Sequence, residues 1–178
     1  YLEHRDGVWG ATAPGRALRR IYGERDLLVA ECLRRGHWKD LDPASLAAMA
    51  SAIIFEARRD DGQAPEYHLP RGAFRPALER TQELWARLDD LERDHRLPGS
   101  IPLATTLALP MQRWAQGASL DVVLRDADMA AGDFVRWTKQ TIDLLDQISI
   151  VADGSVGRTA RTALDAIRRG IVAYSSVA

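Results

Sequence analysis

Apolar positions recur along this chain at helical spacing, in segments set apart by glycine and proline. From Arg25, the series Leu27, Leu28, Ala30, Glu31, Leu33 and Arg34 closes on Gly36, which predicts a first amphipathic helix with a glycine cap. Asp42 followed by Pro43 supplies an N-cap and a proline at the first helical position, and Leu46, Met49, Ala50, Ile53, Ile54 and Ala57 carry a second helix onward. Its apolar face is broad enough to place it in the core. Residues 60–72, with Asp60, Asp61, Gly62, Pro65, Pro70 and Gly72, read as a surface loop. A long third helix follows. Pro76 suits its first turn, and Phe74, Leu78, Thr81, Trp85, Leu88 and Leu91 or Glu92 repeat at alternating four- and three-residue steps until Leu97-Pro98-Gly99-Ser100 stops the pattern.

A fourth helix is predicted from about Pro102 to Gln116, kinked or divided where Pro110 removes a hydrogen bond. Ser119 caps a short fifth helix through Arg125, and Asp128 to Gly132 makes a tight connection. Asp133 then caps a sixth helix to about Ala152, and Gly157 opens a seventh to about Tyr174. Residues 1–23 differ, because Gly7, Gly10, Pro14, Gly15 and Gly23 lie among scattered apolar residues and favour a turn-rich arm or short strands over a helix. No βαβ alternation occurs. The expected fold is all-α: a bundle of about seven helices over residues 24–178, preceded by an irregular or short-stranded arm over 1–23 that connects to structure upstream.

Composition narrows the class. With 178 residues, 46% hydrophobic and 28% charged, the chain can bury one compact core. The longest nearly apolar run, Leu46 to Phe55, is half the roughly 20 residues that a bilayer span requires, so no membrane is expected. Cys32 is the single cysteine, which excludes an internal disulfide and zinc sites built on paired cysteines, and fits a reducing cytoplasm. The chain opens on Tyr1 rather than Met, which points to processing or to a piece of something longer. A net charge of -1 argues against a strongly basic nucleic-acid binder. Only Lys39 and Lys139 are lysine among the basic residues, an arginine bias that a genome rich in G and C explains without any RNA.

Familiar catalytic signatures are absent. The sequence holds no GxxxxGK[ST] loop, no GxGxxG turn, no HExxH pair and no GxSxG elbow, so no catalytic residue and no metal site is assigned. His4, His37, His68 and His95 are scattered and read as surface histidines. Asp60-Asp61 and Asp89-Asp90 look like paired carboxylates, but sequence neighbours point to different faces, and both pairs read as solvated.

The sixth helix carries the most information, because it separates into two stripes. Phe134, Thr138, Thr141, Leu145 and Ile148 form an apolar one, with Trp137 and Leu144 on its flank. Opposite lie Arg136, Lys139, Gln140, Asp143 and Gln147, able to offer phosphate contacts, amide hydrogen bonds and flat surfaces to a base. An ordinary solvated helix face has the same pattern. The fifth helix, its turn and residues 133–140 also imitate a helix-turn-helix, although Phe134 looks buried. On the seventh helix, Asp165 interrupts Arg158, Arg161, Arg168 and Arg169, which predicts local ion pairs.

Several stretches together resemble one family. Gly15-Arg16-Ala17-Leu18-Arg19-Arg20-Ile21-Tyr22, Asp26 to Glu31, Leu41-Asp42-Pro43 with Leu46-Ala47-Ala48, and Phe55-Glu56 resemble the opening of the DSHCT domain, the C-terminal domain of superkiller-type and HelY-like DExH-box RNA helicases. Arg113 to Leu120, Ala131 to Gln140, Leu144 to Gln147 and Arg168 to Ser176 resemble its second half, in the same order.

This resemblance implies a helical accessory domain packed on two upstream RecA-like domains of the same chain, where ATP and magnesium would bind. It also implies that the helix over 133–151 is a ratchet helix lining the exit path of single-stranded RNA, with DNA as the alternative strand. Family members stack an arginine and an acidic residue three positions later against bases. Those positions fall on Gln140 and Asp143, so Gln140 departs from the pattern, whereas Arg136 and Lys139 match what precedes it. The competing expectations are a stand-alone helical module that binds a protein partner and, third, a helix-turn-helix DNA binder.

Overall fold

The computed structural model describes residues 1–57 and 62–174. Two short strands, β1 (Leu2–Arg5) and β2 (Val8–Ala11), open the chain. Nine α-helices follow among the described residues: α1 (Ala13–Leu18), α2 (Asp26–Arg34), α3 (Pro43–Ile54), α4 (Phe74–Asp94), α5 (Ala108–Ala115), α6 (Leu120–Ala127), α7 (Ala131–Val151), α8 (Gly154–Ile167) and α9 (Gly170–Tyr174). The protein is mostly helical with a short-stranded start, as the patterning predicts. Asp60, Asp61, Ser175 and Ser176, which figured in that reading, lie outside the described residues.

The strands pair antiparallel, Leu2 opposite Ala11 and Arg5 opposite Val8. Asp6 and Gly7 both take positive φ, 51° and 80°, the backbone that a two-residue hairpin turn requires.

Several element boundaries differ from expectation for local reasons. The glycines and proline of the arm do not exclude a helix: Thr12 Oγ1 accepts from Gly15 N at 3.2 Å, Pro14 sits in the first turn, and α1 forms. Pro110 neither kinks nor divides α5, because the helix begins only at Ala108 and the proline occupies its third position, where no intrahelical N–H bond is lost. Asp133 does not cap α7. The cap is Ala130, and Asp133 lies at the third helical position, where its charge favours the positive end of the helix dipole. Ser119 is at the N-cap position of α6 but makes no capping hydrogen bond through its side chain. Gly157 lies inside α8, and the predicted seventh helix breaks before Gly170, whose φ of +52° begins α9.

The core is organised around α3. Every residue from Ser45 to Ile53 is buried, and the helix packs against α5, α7 and α8. Asp42 starts it by accepting from Ser45 N at 2.7 Å. The seam of α4 is buried at Phe74, Leu78 and Thr81, half-buried at Trp85 and Leu88, and exposed at Leu91, so α4 leaves the core toward its C-terminus. There Asp89 is 8% exposed rather than solvated. It accepts from Arg93 Nε at 2.7 Å and from Ser100 N at 2.8 Å, and these hydrogen bonds hold its carboxyl below the usual range. Arg161 of α8 pairs with Asp146 of α7 at 3.2 Å, an ion pair between helices instead of the expected local one with Asp165.

A buried polar knot joins α2 to α4. Thr81 Oγ1 accepts from Trp38 Nε1 at 3.0 Å and donates to the Ala77 carbonyl at 2.7 Å, with Cys32 Sγ at 3.8 Å. Burial pushes the Cys32 thiol up to about 12, which keeps it protonated and inert at neutral pH. Thr81→Val should preserve shape while stranding the Trp38 N–H, costing about 1–3 kcal/mol in urea unfolding. An unchanged midpoint would show that the indole finds another acceptor.

Candidate nucleic-acid interface

Helix α7 is held along one side and open along the other. Phe134, Thr138, Thr141, Leu145 and Ile148 are all fully buried, as the stripe predicts. Trp137 and Leu144 are buried too, so the anchored side is wider than the five-residue stripe. The two threonines satisfy their hydroxyls within the helix, Thr138 on the Phe134 carbonyl and Thr141 on the Trp137 carbonyl, each at 2.8 Å. Phe134, Val135, Trp137 and Thr138 are all in the core, so over its first two turns α7 leaves only Gly132 and Arg136 exposed before Gln140.

The open side of α7 forms one wall of a cleft of about 380 Å³. Gln140, Asp143, Leu144 and Gln147 supply that wall; Ile21 to Asp26 and the end of α3, with Ile53, Ile54 and Glu56, supply the other. Two interactions fix the far wall. The backbone N–H of Tyr22 donates to Gln147 Oε1 at 2.8 Å. Arg25 donates through Nη1 to the Ile53 carbonyl and through Nη2 to the Ile101 carbonyl, the latter at 3.0 Å. Burial lowers the Arg25 pKa, and the nearby Glu56 and Glu24 carboxylates oppose that shift.

Two further clefts continue the first along α7. Toward its N-terminus, about 690 Å³ is lined by Phe55, Glu56, Met129, Asp133, Arg136 and Trp137 among others. Toward its C-terminus, Arg20, Tyr22, Asp143, Asp146, Gln147 and Ile150 line about 440 Å³. Glu56 is common to the first two, and Tyr22, Asp143 and Gln147 to the first and third, so the three adjoin in series along α7 as a trough of three separate clefts.

The five candidate residues are therefore not equivalent. Gln140, Asp143 and Gln147 come together in the central cleft. Arg136 stands beyond Glu56 in the next one, its guanidinium 4.6 Å over the Trp137 ring and 3.5 Å from Asp133. Lys139 is half-buried and lines none of the three. Gln147 commits its amide oxygen to the Tyr22 backbone, a positioning contact that periodicity on α7 could not reveal. Tyr22, Glu24, Arg25 and Glu56 were missed as site residues. The sequence signal for two of them was the resemblance itself, since Gly15 to Tyr22 and Phe55-Glu56 are among the stretches that carry it.

Chemically, the trough offers carboxylates, amides, an aromatic ring and the engaged Arg25 in its middle, with Arg136 and Arg20 toward its ends. Among the described residues, no three His, Cys, Asp or Glu side chains are grouped to hold a metal, and no helix is long and apolar enough to cross a membrane.

The geometry is that of a helical domain in which one helix, anchored along one side, walls an open polar trough. The family follows from comparison. The chain belongs to the DSHCT (NUC185) domain family, whose model matches residues 10–175. It is similar to the probable helicase HelY of Mycobacterium leprae (strain TN) and of Mycobacterium tuberculosis (strain ATCC 25618 / H37Rv), each 42% identical over 175 residues, 93% of this chain. It is also similar to the DExH-box ATP-dependent RNA helicase DExH10 of Arabidopsis thaliana, 24% identical over 187 residues, 99% of this chain. The chain spans about a fifth of these relatives, 19% of each HelY and 18% of DExH10. The matched part is their C-terminal region.

Proposed function

We propose that this chain is the C-terminal accessory domain of an ATP-dependent RNA helicase, guiding single-stranded nucleic acid past a motor that lies upstream. The observation that carries the reading is the trough along α7 in a member of this family: a helix anchored on one side presents Gln140 and Asp143 one turn apart, with Arg136 in line. A strand-guiding wall needs that stiffness, because a side chain that drifts by an ångström loses its grip. Such a wall binds through backbone and stacking contacts and tolerates any sequence. ATP and magnesium belong to the upstream RecA-like core, and none of these residues is assigned to them. RNA is the proposed strand and the cytoplasm the proposed location.

The test uses the native polypeptide that carries this chain, whose size is first read by immunoblot. A band no larger than 178 residues would remove the motor. In a larger one, Arg136→Ala with Gln140→Ala touches two exposed positions and should leave the fold intact. Unwinding should fall by roughly tenfold, the loss expected when about 1.4 kcal/mol of strand contact is removed. Unchanged unwinding and unchanged RNA-stimulated ATP hydrolysis would refute the role of α7.

A further inference from the structure

Tyr22 is 76% exposed and lies outside α7, yet it lines both the central and the C-terminal cleft beside Asp143 and Gln147. Exposed tyrosines are common on protein surfaces, and most are free to swing with their loops. This one sits on a fixed backbone. Ile21 before it is buried in the core, its own N–H is held by Gln147 Oε1 at 2.8 Å, and Arg25 three residues on is clamped to two carbonyls. The chain thus fixes the main chain beneath a largely exposed aromatic ring at the edge of a trough.

The charges around it decide what that ring can meet. Glu24, Asp26, Glu56 and Asp143 line the same cleft, and the Arg25 guanidinium is already spent on backbone carbonyls. Four carboxylates against one engaged cation repel phosphate. They accept readily from the amino and imino groups of bases and from ribose hydroxyls. Positive charge lies farther out, at Arg20 in the C-terminal cleft and Arg136 in the N-terminal one.

We propose that Tyr22 is a stacking platform for a base of the single strand that runs along α7, with bases turned into the central cleft and phosphates outward. This rests on the function proposed above and adds a contact from the connection between α1 and α2. Gln147 is then a positioning residue: it holds the backbone that presents the ring. The ring and Gln140 face the strand from different elements, so a base has a flat partner even though the α7 position offers an amide instead of a guanidinium.

The experiment is photocrosslinking of the native polypeptide to a single-stranded oligouridylate carrying 5-iodouridine, followed by tryptic mapping. Cleavage after Arg20 and Arg25 releases residues 21–25, in which Tyr22 is the sole aromatic. We expect an adduct on this peptide in the native protein and in Tyr22→Phe. Tyr22→Ala should abolish it and weaken strand binding roughly 5- to 100-fold, the range for loss of one base stack. Gln147→Ala should reduce the adduct yield. An abasic strand of the same length should bind Tyr22→Ala and native protein equally, which a general structural defect would not produce. Adducts on α7 peptides with none on residues 21–25, or unchanged binding in Tyr22→Ala, overturn the stacking role and leave the guiding role standing. Adducts nowhere in residues 1–178 overturn both.

Discussion

Trp114→Ala is expected to lower the free energy of unfolding by about 3–5 kcal/mol, read from the shift of a urea midpoint at constant slope. Trp114 lies in the last turn of α5 and is 2% exposed. Its indole Nε1 donates to the Ile167 carbonyl at 2.9 Å, which closes α8, and its ring meets Phe134 of α7 edge-on at 5.5 Å. The Arg169 guanidinium lies 3.5 Å over the ring and donates to the carbonyls of Trp114 at 2.7 Å and Ala118 at 2.6 Å. Burial lowers the pKa of that arginine. One side chain therefore joins three helices and supports a partly buried cation. Domains of this size hold about 5–15 kcal/mol in all, so the alanine variant should lose about a fifth of its stability or more. Trp114→Phe should cost less, about 1–3 kcal/mol, because packing survives and the Ile167 carbonyl alone loses its donor. If the two variants were equally stable, the packing that phenylalanine retains would contribute nothing and the whole cost would lie in the indole hydrogen bond and the larger ring.

Glu31→Gln is expected to cost about 2 kcal/mol at pH 7 and nothing near pH 2. Glu31 is 7% exposed on α2 and accepts from Arg34 Nε at 2.8 Å, Arg35 Nε at 2.9 Å and the Tyr1 hydroxyl at 2.5 Å. The Arg34 hydrogen bonds are the largest cause that lowers its pKa from 4.5 to about 2, against the opposing effect of burial. A depressed carboxyl pKa stabilises the fold above the unfolded value, and that contribution disappears as pH falls from about 4.5 to about 2. Thermal melts of the native protein should therefore drop through this window, and those of the glutamine variant should be flatter there. Both arginines are substantially exposed, which is why the expectation stays below the full value of the shift. Tyr1 behaves oppositely. Burial, then the Glu31 hydrogen bond, raises its pKa from 10.0 to about 12, so its contribution is present at neutral pH and is lost only as pH rises through that range.

Much of the fold was legible because helical period survives in the buried positions. The stripe of α7 and the breadth of α3 could be read directly, since a helix that contributes to one core must repeat its apolar residues near 3.6. Boundaries were less legible. Pro110 has one meaning inside a helix and another in its first turn, and only the start at Ala108 decides between them. The same holds for Asp133, which reads as a cap until Ala130 is seen to precede it. Asp89 looked solvated because its partner Ser100 lies beyond the end of α4. The candidate site was half legible for a related reason. Periodicity can show which residues share a face of α7, but the opposite wall comes from residues 21–26 and 53–56, and no local pattern joins Tyr22 to Gln147.

The total burial of α3 also sets a constraint in time. As the chain leaves the ribosome, the run from Leu46 to Ile53 emerges well before the helices that cover it, and α8 ends only at Ile167. At synthesis rates of about 5–20 residues per second, that wait is on the order of ten seconds. For that interval a nascent chain carries an uncovered apolar helix that can self-associate, and the trough does not yet exist because one of its walls has not been made. Premature termination before α7 should therefore yield aggregates instead of a weakened binder.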